Sequence, residues 1–285
     1  KDLVTGMHLP DRIVGAAYSA EWGNECKTLY YATQDEAKRS DKLHRHVLGS
    51  NQADDELLYH EEDKLFSLGL SKTRDKRFLL MGLSSMETTE YHLLDADDAS
   101  ASPRLIHPRE KVLRYRPGHR DGYLYMVTNH GDAVNNKVVR VSASEPGVEG
   151  WEEYIPHRPS VKIEAVDLFE EYMVVHERRR GLKTMRVIDM ETGESRPVEF
   201  PEEVYTYMHG TNPVFESKEL RLNYTSLTTA MSAIDMDMET LEWTLVKRQP
   251  VLGGYDPEDY ETERLYALAE DGASVPVSLV YRKGF

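Results

Sequence analysis

A four-strand unit that repeats along the chain constrains the fold more than any other feature. Its marker is an Asp-led turn after the third strand. The turn reads Asp189-Met190-Glu191-Thr192-Gly193-Glu194 in one copy and Asp235-Met236-Asp237-Met238-Glu239-Thr240 in the next, and Asp2-Leu3-Val4-Thr5-Gly6 opens the chain. Apolar runs lead into the internal copies, Met185-Arg186-Val187-Ile188 and Met231-Ser232-Ala233-Ile234. The spacing of about 45 residues is the period of a four-stranded propeller blade.

Period-2 patterns between turn residues predict the strands. The first unit comprises Ile13–Tyr18, Thr28–Ala32, Leu43–Leu48 and Glu56–Tyr59, and the second Phe66–Leu70, Phe78–Met81, Glu90–Leu94 and Arg104–Ile106. The third comprises Val112–Tyr115, Tyr123–Val127, Lys137–Val141 and Glu152–Ile155. Ile163–Leu168, Tyr172–His176, Thr184–Ile188 and Pro197–Phe200 make the fourth; Val204–Met208, Glu219–Tyr224, Ala230–Ile234 and Trp243–Lys247 make the fifth. In each unit the second strand is the most continuously apolar, as expected of a strand covered on both faces. The fourth is short and polar, as expected of a protected outer edge. The first would line a central channel. With no long amphipathic helix in this stretch, a doubly wound α/β sheet is not supported.

The pattern changes after Pro250. Val251-Leu252-Gly253-Gly254-Tyr255-Asp256 reads as a connector, and Glu263–Ala269, Glu270-Asp271-Gly272 and Val275–Tyr281 read as a β-hairpin outside the repeat. The expected fold class is all-β, a β-propeller at 1–250 followed at 251–285 by the first strands of a second domain.

The 285 residues carry a formal net charge of -15, which argues against a nucleic-acid platform and suits solubility or the attraction of cationic ligands. Cys26 is the only cysteine, so neither an internal disulfide nor a Cys-based zinc motif is available, in keeping with a reducing compartment. No apolar run is long enough to span a membrane, and the start has no signal-peptide h-region. Both ends read as cut from something longer.

The tail Leu265-Tyr266-Ala267-Leu268-Ala269-Glu270-Asp271-Gly272-Ala273-Ser274-Val275-Pro276-Val277-Ser278-Leu279-Val280-Tyr281 resembles the entry to the hydrolase domain of the prolyl oligopeptidase family, nearest its oligopeptidase B branch. Leu43–Gly49, Asp55–Asp63, Val174–Leu182 and Tyr224–Thr229 resemble motifs of that branch in the same order, with Ala230 where proline is common. The resemblance implies a seven-bladed propeller that caps an α/β-hydrolase domain with a Ser-Asp-His triad. Against that pattern the chain shows about five complete blades and a leading outer strand, without the first blade and most of the second, and stops as the hydrolase domain begins. It implies a serine endopeptidase cleaving short peptides after Lys or Arg, in the cytoplasm, with the hydrolase domain of the same parent chain and short basic peptides as partners, and no nucleic acid or membrane. The propeller would gate access. A non-catalytic propeller scaffold for protein–protein interaction is the rival reading, and a family member with a decayed triad a third.

No catalytic residue is expected within the chain. A G-x-S-x-G elbow is absent; Ser84, Ser85 and Ser226 lack its glycines. No cofactor and no metal site is expected. His44 and His46 share a strand face without a third ligand, and Asp95-Ala96-Asp97-Asp98 and Asp235-Met236-Asp237 lack calcium-loop grammar and read as turns. Glu177-Arg178-Arg179-Arg180 is a basic run in an acidic chain, either a solvated loop with Glu177 paired locally or an inter-domain contact made by the Arg fork. The resemblance favours contact for Arg178. Arg178, Arg180, Tyr224 and Ser226 are the candidate inter-domain or gating positions.

Overall fold

The computed structural model describes residues 1–284. Five four-stranded antiparallel sheets follow one another along the chain, each ordered as its strands occur in sequence. The first holds β1 (Ala16–Trp22), β2 (Thr28–Gln34), β3 (Ser40–Val47) and β4 (Glu56–His60); the second β5 (Ser67–Lys72), β6 (Phe78–Ser84), β7 (Thr89–Asp95) and β8 (Arg104–His107). The third holds β9 (Tyr115–Arg120), β10 (Tyr123–Thr128), β11 (Lys137–Ser142) and β12 (Glu152–Ile155). The fourth holds β13 (Val161–Leu168), β14 (Tyr172–Arg179), β15 (Leu182–Asp189) and β16 (Ser195–Pro197), and the fifth β17 (Tyr205–His209), β18 (Glu219–Ser226), β19 (Ser232–Asp237) and β20 (Trp243–Arg248). A separate hairpin, β21 (Tyr260–Leu268) with β22 (Ser274–Arg282), closes the order. These are the up-and-down blades of a β-propeller.

Two compact units divide the described residues, 1–133 with 138–155 and 134–137 with 156–284. In the first unit β6 shows why a second strand can be apolar at successive positions, whereas β18 of the fifth sheet alternates, with Glu219 and Arg221 exposed. Phe78 and Leu80 enter one core with Leu124, Met126 and Val139 of the third sheet. Leu79, Met81 and Leu83 enter the other with Tyr30, Leu43 and Leu68. Successive side chains point to opposite faces, so a stretch sandwiched between two blades, such as Phe78–Met81, is apolar at successive positions. Burying each such side chain contributes about 1.5–3 kcal/mol. In the second unit Val174, Val187, Leu220, Leu222 and Met236 form the corresponding core between the fourth and fifth sheets.

Four details differ from the sequence expectation. The first sheet begins at Ala16, not Ile13, after Gly15 at φ +77°. The third begins at Tyr115, not Val112, because Val112 is held at φ +70° in a turn closed by Leu113 N–H donating to the Glu110 carbonyl. β16 is Ser195–Pro197, not Pro197–Phe200; Phe200 instead stacks on Tyr205, with ring centroids 4.2 Å apart. No leading strand precedes β1 among the described residues. Asp2–Gly6 is a turn, with Gly6 N–H donating to the Asp2 carbonyl.

The repeat marker is also re-registered. Asp189 Oδ1 accepts from Glu191 N–H and Thr192 N–H at 2.9 and 2.8 Å. Asp237, not Asp235, does the same for Glu239 and Thr240 at 2.8 and 2.7 Å, and Asp2 does it for Val4 and Thr5. Gly193 at φ +74° is matched by Leu241 at φ +63° and Gly6 at φ +72°. Asp235 sits within β19 and forms a two-pronged pair with Arg221, both contacts at 2.7 Å.

Candidate functional site: the tail hairpin and the turns it meets

The β14–β15 turn consists of Arg180 and Gly181, both at positive φ (+50° and +78°). A two-residue hairpin with matching twist requires that pairing, and it brings Arg179 opposite Leu182. The turn meets the β21–β22 hairpin. The Arg180 guanidinium lies over the Tyr266 ring at 3.9 Å from its centroid. The Arg180 carbonyl accepts from Arg264 at 2.9 Å. At Gly181 an added Cβ would come within 3.0 Å of Pro276, so the close approach needs glycine as much as the backbone angle does.

Arg178 turns inward on its own sheet. Its Nε donates to Glu164 at 2.7 Å and its guanidinium to the Gly181 carbonyl at 3.0 Å. Glu177 is buried between Arg158 and Arg186. The basic run therefore divides its work: Glu177 and Arg178 brace the blade, and Arg180 reaches the hairpin.

Tyr224 and Ser226 meet at a carboxylate the sequence did not single out. Glu202 accepts from the Tyr224 hydroxyl at 2.6 Å, from Ser226 Oγ at 2.6 Å and from Thr228 Oγ1 at 2.7 Å. Burial pushes the Glu202 carboxyl up, but these hydroxyl donors outweigh it and hold the group below its ordinary value. The same burial, with the Glu202 charge beside it, pushes the Tyr224 phenol up. Ser226 Oγ also accepts from Thr228 N–H and Thr229 N–H, which makes it a turn cap and not an activated nucleophile. From the connector, the Tyr255 hydroxyl donates to the Thr228 carbonyl at 2.6 Å. The segment after the fifth sheet is thus tied at two places, one per blade of the second unit.

The histidine pair and the first acid motif singled out in the sequence have partners within the first unit. His44 stacks on Tyr31 with centroids 5.2 Å apart, while His46 is buried between Asp55, at 2.7 Å, and Asp11, at 3.3 Å. Arg77 holds both Asp95 and Asp97 at 2.7 Å. A different trio is drawn together by the fold: Asp167 on β13, His176 on β14 and His209 on β17. A β-bulge between Ile163 and Ala165 places Asp167 opposite Val174 instead of Met173, on the face that carries His176. Burial holds the His176 imidazole below its ordinary value against the pull of Asp167.

No helix among the described residues is long and apolar enough to cross a membrane. Residues 1–249 match the family model described as prolyl oligopeptidase, N-terminal beta-propeller domain. The chain is 35% identical to a dipeptidyl aminopeptidase BI of Pseudoxanthomonas mexicana, over 99% of this chain and 39% of that protein. It is 28% identical to Protease 2 of Moraxella lacunata, over 100% of this chain and 41% of that protein. The structure of oligopeptidase B from Leishmania major superposes with a TM-score of 0.87 at 32% identity, covering 98% of this chain and 40% of that one. The chain therefore spans about two fifths of the length of these relatives.

Proposed function

The chain belongs to the prolyl oligopeptidase family, as its N-terminal β-propeller portion, and from that premise we propose that it gates a serine oligopeptidase domain carried by the same longer chain. The parent enzyme hydrolyses short peptides after Lys or Arg in the cytoplasm. The propeller occupies 1–250 and the connector with the first hydrolase hairpin 251–285. The observation that carries this reading is the β21–β22 hairpin. A propeller used only as a scaffold has no use for a strand pair after its last blade. Here that pair is seated through Arg264 and Tyr266 on the Arg180–Gly181 turn. In this reading Arg180 belongs to the inter-domain seam, Arg178 braces the turn that presents it, and Tyr224 and Ser226, through Glu202 and Thr228, fix the connector.

Chemistry then falls to residues outside this chain: a Ser attacks the peptide carbonyl, a His carries the proton and a carboxylate orients the His. The excess of acids supplies the preference for basic peptides through steering, since a net charge of -15 raises the local concentration of cations. The test is hydrolysis of fluorogenic Arg-Arg substrates by the intact protein, with the 285-residue chain assayed beside it. Cleavage by the intact protein alone supports the proposal. Activity in neither favours a scaffold or a family member with a decayed triad, and activity in the 285-residue chain overturns the assignment of chemistry elsewhere. Substrates with free and blocked amino termini separate endopeptidase action from dipeptide release, the activity in the name of the Pseudoxanthomonas relative.

A further inference from the structure

Asp167, His176 and His209 bring one carboxylate and two imidazoles to a single point. Asp167 Oδ2 lies 2.9 Å from His176 Nε2 and 3.1 Å from His209 Nδ1. All three ligand atoms fall within 4.8 Å of one another, the one such group of three among the described residues. Ligands about 2.0–2.1 Å from a tetrahedral zinc ion lie roughly 3.3 Å apart, so the two contacts to Asp167 Oδ2 would open by only a few tenths of an ångström.

The Tyr207 hydroxyl donates to the Thr184 carbonyl at 2.9 Å and lies 3.3 Å from His176 Nδ1. A histidine that ligates a metal through Nε2 is ordinarily oriented by a hydrogen bond at its other ring nitrogen, and Tyr207 is placed to give His176 that support. His176 is 2% exposed while His209 is open to solvent, so the site has a rigid floor and an entry.

We propose that Asp167, His176 and His209 form a three-ligand site for a divalent transition-metal ion, with Zn2+ the best fit, leaving a fourth position open. Imidazole and carboxylate donors suit zinc, and three protein ligands leave a coordination position for water or for a group brought from outside. Its position also gives it a structural consequence. Asp167 and His176 belong to the fourth sheet and His209 to the fifth, so a bound ion staples the two blades of the second unit.

The test uses metal-free intact protein titrated with ZnCl2 by calorimetry, repeated with Co2+ as a spectroscopic substitute. His209→Ala and Asp167→Asn are compared with wild type; the half-exposed His209 can be truncated without opening the core, and circular dichroism checks that both variants fold. One equivalent of zinc, binding at least about tenfold more weakly in each variant, supports the site, as does a zinc-induced rise in Tm that His209→Ala abolishes. Tetrahedral Co2+ absorption seen in wild type alone supports it further. Failure of wild type to bind, or equal zinc uptake by wild type and both variants, overturns it.

Discussion

The Arg180 guanidinium lies 3.9 Å from the centroid of the Tyr266 ring, joining a blade turn to a hairpin that follows the last blade. Beside it, Arg264 donates to the carbonyl of that same Arg180, 84 positions earlier in the chain. The two arginines thus use both ends of one residue, side chain and backbone, to seat the hairpin.

Tyr266→Ala removes a partly exposed cation–π contact and should cost about 0.5–1 kcal/mol of local stability. Hydrogen exchange in the intact protein should show faster exchange at β21 and β22, with the fifth-sheet amides unchanged. Gly181→Ala should act more strongly, by more than about 1 kcal/mol, because the added methyl meets Pro276 at a positive φ.

Tyr224→Phe removes the donor to the Glu202 carboxylate and should destabilise by about 1.5–3 kcal/mol, the range for hydrogen bonds to charged groups. Urea unfolding measures this. If the connector depends on the Glu202 cluster, the same variant should also change kcat/KM of the intact enzyme beyond what its unfolded fraction explains.

Glu90 sets an acid-stability limb. Burial pushes its carboxyl up, but hydrogen bonds from His92 and Arg109 outweigh that and hold it at about 2. Arg109 also pairs with Glu61 at 2.6 Å and lies over Phe66. The folded-state value is below the unfolded value of about 4.3, so the contribution is fully present above that pH and is lost as pH falls towards 2. Glu90→Gln should flatten the pH dependence of stability across this window, read from denaturation midpoints between pH 2 and 6. An unchanged slope would contradict the assignment.

Asp189→Ala and Asp237→Ala each remove a carboxylate that caps two backbone N–H groups of an equivalent turn. Each should lower stability by about 0.5–2 kcal/mol, as the loss of a comparable cap does. The double variant should be close to additive if the turns act independently, which thermal unfolding can check.

Electrostatic steering predicts that kcat/KM for dibasic peptides falls with added salt while that for neutral peptides does not, since screening at physiological strength reaches only about 8–10 Å. Reversing surface acids should reduce the salt slope. No change in slope would remove the acidic surface from the specificity argument.

Much of this protein is determined locally and is therefore readable in its sequence. Alternation sets which strand positions are buried, and a stretch covered on both faces, such as Phe78–Met81 of β6 or Tyr172–Val175 of β14, is apolar at successive positions. Asp-led turns and Gly272 mark where strands end, and the pattern break after Pro250 announces the hairpin. Side-chain partnerships depend on register and on which strands come to lie beside one another, and no local preference encodes that. Arg180 meets Tyr266, and Glu202 gathers Tyr224, Ser226 and Thr228, only once the sheets are stacked. His176 and His209 lie 9 and 42 positions after Asp167, with no ligand spacing to notice. One bulge between Ile163 and Ala165 turns Asp167 to the face of His176. Because side chains alternate with period two, a single extra residue decides whether those groups meet at all, and the tertiary structure alone makes that decision.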